Sequence, residues 1–131
     1  MSALDRALVT AFTIFTAGTG ALLIVEPHTF YTNIPGVATS GPFNGHLLRD
    51  VGLAYATLAF GAAFALRHPS NARAVTLMAA IYLLGHAALH AFKKVSSANT
   101  GAAISEAPGV YLPAVFALIL ALRAPRALSG K

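Results

Sequence analysis

Residues 45–66 read GHLLRDVGLAYATLAFGAAFAL, and residues 72–95 read ARAVTLMAAIYLLGHAALHAFKKV. Each stretch is long and apolar enough to cross a bilayer as helix, because about 20 residues at about 1.5 Å each span the hydrocarbon core. Each also carries side chains that such a helix tolerates poorly: His46, Arg49 and Asp50 in the first, His86 and His90 in the second. Ionisable groups at membrane depth are expensive and persist for a partner or a task. His46/Asp50 and His86/His90 are both spaced i to i+4, so each pair shares one face of its helix.

Working outward, two more apolar stretches flank this pair. Residues 7–25 precede Glu26-Pro27, and residues 108–123 precede Ala124-Pro125. The segment from Pro27 to Gly45 holds three prolines and three glycines, which rules out one continuous helix. Asn44 is placed to cap the span at 45–66, which stops at Arg67-His68-Pro69, and Ser70 or Asn71 to cap the span at 72–95. Pro108 suits a first helical turn, while Pro113 predicts a kink or tilt in the short fourth span. Thr10, Thr13, Thr16 and Gly20 line one side of the first span; Gly52, Ala56 and Ala63 offer small surfaces on the second, and Gly85 on the third. Such residues let membrane helices approach closely and hydrogen-bond across the contact.

Composition agrees. Of 131 residues 56% are hydrophobic and 10% charged, with mean hydropathy +0.68, whereas soluble domains are about a quarter charged. The net charge of +5 does not mark a nucleic-acid binder, because the basic residues lie between apolar blocks and form no stripe. There they orient a membrane protein: Arg6, Arg67, Arg73, Arg123, Arg126 and Lys131 fall on one side, Lys93 and Lys94 on the other. With no cysteine, neither a disulfide frame nor a thiolate site is available. The N-terminus carries Arg6 and an apolar run without a small-residue cleavage site, and reads as a retained first helix. The expected fold is all-α, a single integral membrane four-helix bundle over residues 1–131. Both termini are expected in the cytoplasm and the chain in the cell's inner membrane.

This topology sends the second helix inward and the third outward. Asp50 and His90 then lie about 8 Å below the outer helix ends and His86 about 14 Å below. Four ligands, His46, Asp50, His86 and His90, are expected to converge on a transition metal ion as three nitrogens and one oxygen. Tyr55 and Tyr82, about a turn deeper, would support them. Other readings stay open: a structural polar cluster, haem held by His46 with His86 or His90 in room left by Gly52 and Gly85, or a quinone beside Tyr55 and Phe60. Arg49 is expected to snorkel to head groups, or to pair with Glu26. Glu26 and His28 could join the cluster from above. Phe30, Tyr31 and Phe43 read as an interfacial anchor, His68 as a solvated loop residue, and Glu106 and Tyr111 as flanks of the fourth helix. No nucleophile–base set, phosphate loop or acid pair points to a hydrolase or kinase. Expected partners are the bilayer itself and either further membrane subunits or a second copy.

The run Phe43-Asn44-Gly45-His46-Leu47-Leu48-Arg49-Asp50-Val51-Gly52, with His86-Ala87-Ala88-Leu89-His90 after it and Tyr31…Pro35-Gly36…Pro42 before it, resembles small bacterial four-helix membrane proteins of the DoxX-like group. The resemblance covers most of the first three helices. It implies a membrane redox setting, since some such proteins are associated with quinone-linked oxidation of sulfur compounds, and it singles out His46, Arg49 and Asp50.

Overall fold

Ser2 opens the first helix with a reciprocal cap: its hydroxyl accepts the Asp5 N–H at 3.1 Å while the Asp5 carboxylate accepts the Ser2 N–H at 3.1 Å. Helix α1 therefore runs Ala3–Val25, beginning ahead of the purely apolar stretch. The computed structural model describes residues 1–97 and 107–124. After α1, Pro27 starts the short α2 (Pro27–Asn33), Gly36 turns the chain in the left-handed region at φ 86°, and α3 covers Val37–Ser40. Asn44 caps α4 (Gly45–Arg67) as expected, its side-chain oxygen accepting the Leu47 N–H at 3.0 Å. A 3₁₀ turn, Pro69–Asn71, leads into α5 (Ala72–Ser97). A π turn, Ala107–Tyr111, then enters α6 (Leu112–Arg123).

The π turn has a local cause. Pro113 lacks an N–H for the Gly109 carbonyl, and its ring would press on that carbonyl in a regular helix. The preceding turn relaxes to the wider i→i+5 pattern. The expected disturbance at Pro113 is thus a widened entry turn. Glu106, most of the loop before it, Arg126 and Lys131 lie outside the described residues.

Three helical stretches are long and apolar enough to cross a membrane, Ala3–Val25, Gly45–Arg67 and Pro69–Phe92; the apolar stretch Gly109–Arg123 is shorter. Of the four apolar spans expected, three are long helices and the fourth is the short one that its sequence implies. α6 itself has 12 residues, about 18 Å of rise.

Successive long helices alternate in direction, and they associate as two pairs. α1 lies along α4, α5 lies along α6, and contact between the pairs is slighter. The first pair is set by glycine. A Cβ on Gly20 would meet the Ala56 nitrogen at 2.9 Å and the Gly52 carbonyl at 3.0 Å; one on Gly52 would meet Ile24 Cγ1 at 2.8 Å and Leu23 Cβ at 2.9 Å. The second pair buries small side chains, Ala79, Ala80 and Ala87 with Leu83 on α5, and Ala114, Ala117 and Ala121 on α6. Phe12 on α1 meets Phe116 on α6 edge to face at 5.6 Å and joins the pairs.

Large apolar side chains mostly point the other way. Phe60, Met78, Ile81, Leu89, Phe92 and Leu122 are each at least 70% exposed. A surface of large hydrophobes over an interior of alanine and glycine inverts the arrangement that water selects and matches contact with lipid. Gly85 does not share in the packing, because nothing lies within 4 Å of where its Cβ would be. The threonines behave otherwise than expected too. Thr10, Thr13 and Thr16 donate to Arg6, Val9 and Phe12 carbonyls of their own helix, each at 2.8 Å, and do not bridge helices. A hydroxyl in apolar surroundings satisfies itself on the preceding turn.

Arginines tie the helix ends at the pole where α4 finishes. Arg6 donates to the Leu66 carbonyl at 3.4 Å, Arg73 to the Ala121 and Ala124 carbonyls at 3.5 and 3.4 Å, and Arg123 to Asp5 at 2.9 Å. The carbonyls so engaged belong to last turns that have no acceptor role left within the helix.

Replacing Gly20 or Gly52 by valine should destabilise the bundle by about 1–3 kcal/mol through overpacking. Gly85→Ala should be neutral or stabilise by up to about 1 kcal/mol, since its Cβ meets nothing and alanine favours the helix. Thermal unfolding in detergent checks the contrast.

Candidate ligand cavity

At the pole opposite the arginines the two helix pairs stand apart around a cavity of about 590 Å³, well within the range that encloses a small organic ligand. Leu23 on α1 and Leu48, Val51 and Tyr55 on α4 form one wall. His86 and His90 on α5, with Gly109 and Val110 of the π turn, form the facing wall. Phe30 and the turn Ile34-Pro35-Gly36-Val37 close the end. Apart from Thr19, Tyr55 and the two histidines, the lining side chains are apolar, and no Asp, Glu, Lys or Arg among the described residues lines it.

His86 and His90 follow one another down one face of α5, ring centroids 4.7 Å apart and planes inclined at 59°, and Tyr82 continues the file one turn deeper, parallel to His86 within 9° at 6.3 Å. Their inward direction follows from helix geometry. At about 100° per residue His86 and His90 fall within about 60° of Leu83, a fully buried side chain of α5. Tyr82 is half-buried and stands below the cavity wall.

The other pair has a different fate. His46 Nε2 lies 3.6 Å from Asp50 Oδ2, but the two side chains are 89% and 55% exposed, so the contact is worth at most about 1 kcal/mol. Asp50 stands about 160° around α4 from Gly52, the residue pressed against α1, and therefore faces away from the bundle. The expected convergence of His46, Asp50, His86 and His90 is not what the fold builds: among the described residues no three His, Cys, Asp or Glu side chains gather as a metal-binding group. His46, the residue expected to hold a haem with His86 or His90, is turned out to the surface by the same rotation, and the room expected at Gly52 is filled by Leu23 and Ile24.

Arg49 is exposed and meets the end of α1, not Glu26. Its Nε donates to the Ile24 carbonyl at 3.2 Å, capping the end of α1 outside the cavity. The outer aromatics divide. Phe30 turns into the cavity, whereas Phe43 packs edge-on to Tyr31 at 5.4 Å and His28 at 5.3 Å. His28 and Glu26 are exposed and stay apart from the cavity. Phe60 is 75% exposed on the outside of α4, which removes it from any site with Tyr55. His68 is exposed, its ring tilted over Phe64 at 4.3 Å.

The sequence reading missed Phe15, Thr19, Phe30, residues 34–37 and the π turn as cavity wall. Most are ordinary apolar residues with no chemical mark; the pair Pro108 and Pro113 was the one signal that the helix entry beside them would be irregular. No family model, curated protein or solved structure matches the chain.

Tyr31 fastens the segment that closes the cavity. Its hydroxyl donates to the Gly41 carbonyl at 2.9 Å, with the Ala38 carbonyl at 3.4 Å. Tyr31→Phe should cost about 1 kcal/mol locally and speed amide hydrogen exchange across residues 34–43, while exchange in α1 and α4 stays slow.

Proposed function

We propose that this chain is a multi-pass protein of the inner membrane, its arginine pole cytoplasmic, that holds a lipid-soluble ring compound of the quinone class in the cavity at its outer pole. One observation carries the reading: an apolar chamber of about 590 Å³ whose polar wall groups include two adjacent imidazoles and a phenol, His86, His90 and Tyr55. Quinone carbonyls are acceptors on an apolar ring. Imidazole N–H and phenol O–H groups are donors, and the remaining wall would bury the ring faces. An imidazole can donate a proton at one nitrogen and accept one at the other, which suits a ligand that gains protons when reduced. The lipid-facing character of the outer surface and the DoxX-like resemblance, with its quinone-linked relatives, support the same reading.

The test is equilibrium binding of a decyl-tailed benzoquinone to the protein in lipid nanodiscs, followed by quenching of tyrosine emission. The chain has four tyrosines and no tryptophan to mask them. His86→Ala/His90→Ala should raise the Kd at least about tenfold, the loss of about 1.4 kcal/mol expected when two donors disappear. His46→Ala/Asp50→Ala should leave the Kd within about twofold of wild type. Equal Kd values for wild type and the His86/His90 double variant would overturn the proposal.

A further inference from the structure

The floor of the cavity and its exposed rim together say how a ligand would lie in it. Phe12 and Phe116 meet edge to face at 5.6 Å and shut the gap between α1 and α6 at their level. The two helices run in opposite directions, so one turn further toward the far pole Phe15 and Thr19 on α1 stand level with the π turn at Gly109 and Val110. All four line the cavity. Phe15 is 38% exposed and Gly109 is exposed as well, with nothing within 4 Å of the place a Gly109 Cβ would occupy. The chamber thus reaches the apolar flank of the bundle between α1 and the π turn that enters α6, where Leu112 next to the turn is exposed too.

From this we infer that the cavity opens sideways to the hydrocarbon through a slot between α1 and α6, and that its ligand carries a long alkyl or prenyl tail lying in that slot. The inference rests on the quinone-class reading for the ring, but the slot stands on its own geometry. A ring seated against His86 and His90 would have its tail directed past Val110 and Gly109 into lipid, so that every methylene stays out of water, where each would be unfavourable. Binding strength should then grow with the tail only as far as the slot wall extends, because beyond it the tail exchanges lipid for lipid. The absent side chain of Gly109 is what leaves the slot clear.

Two measurements on the full chain in nanodiscs test this. In the first, an alkyl diazirine fatty acid is photolysed and its cross-links mapped by mass spectrometry. Cross-links to Leu23, Val51 and Val110 are expected, with at least a fivefold loss in Gly109→Leu and in Phe15→Trp, two variants that narrow the slot from opposite sides. The control Phe60→Ala, on the lipid-facing outside of α4, should cross-link as wild type does. Labelling confined to outward residues such as Leu53 and Leu89 would overturn the slot. In the second, the tail-less benzoquinone is compared with the decyl form, and the tail is expected to tighten binding at least tenfold in wild type and under twofold in Gly109→Leu. A tail that brings no gain in wild type would overturn the inference even if the ring binds. Cross-links inside the cavity without ring binding would keep the slot and reject the quinone reading. Melting temperatures within a few degrees of wild type show that the variants fold.

Discussion

The bundle depends on the contact of Gly20 with Gly52. Helices long and apolar enough to cross a membrane, as three of these are, would gain little in lipid from hiding apolar surface, and close approach of backbones is then what packs them. Here the approach is close enough that a single Cβ on either glycine would fall within 3.1 Å of the opposite helix. Such a contact fixes the rotation of both helices. On α4 it turns Gly52, Tyr55, Ala59 and Ala62 inward, and every later feature of the site follows from that.

The same contact explains why there is a cavity. α1 and α4 are drawn together tightly, α5 and α6 associate through their own alanine faces, and the tight turn at Pro69–Asn71 holds α4 and α5 close only at the arginine pole. Away from that pole the pairs diverge. The π turn ahead of Pro113 widens the entry of α6 where the divergence is greatest, and Phe30 and residues 34–37 fold over the end. A chamber with a wall of leucine, valine, phenylalanine and proline offers water few partners, so its surroundings favour an apolar occupant.

Helix ends were legible because their signals are local. Asn44, Pro27, Pro69 and the Arg67-His68 exit each act on the backbone within a turn of themselves, and the helices begin and end beside them. α1 begins four residues ahead of the apolar stretch at 7–25, because the Ser2–Asp5 cap, not apolarity, sets where the helix starts. Sequence position marks Arg6 and Arg73 as topology signals and Arg49 as a residue for head groups or Glu26. Arg49, Arg6 and Arg73 each reach the last carbonyls of a neighbouring helix, at Ile24, Leu66 and Ala121, and such long-range partners are invisible until the helices are side by side. A charge that biases orientation also serves as a donor to carbonyls that have none, so the two roles coincide at the same residues.

The two i,i+4 pairs show most plainly what spacing can and cannot say. His46/Asp50 and His86/His90 have the same separation and similar expected depth, and from the sequence they looked like halves of one site. Spacing establishes that two side chains share a face; it is silent on which way the face points. That is decided by the buried stripe. Counting about 100° per residue from Gly52 puts Asp50 about 160° and His46 about 120° away, while counting from Leu83 puts both His86 and His90 within about 60° of the interior. The information was present in the positions of the small residues, since Gly52, Ala56 and Ala59 already trace the stripe that α4 presents to α1. Read together with that stripe, the histidines of α5 belong to the interior and the pair on α4 to the outside.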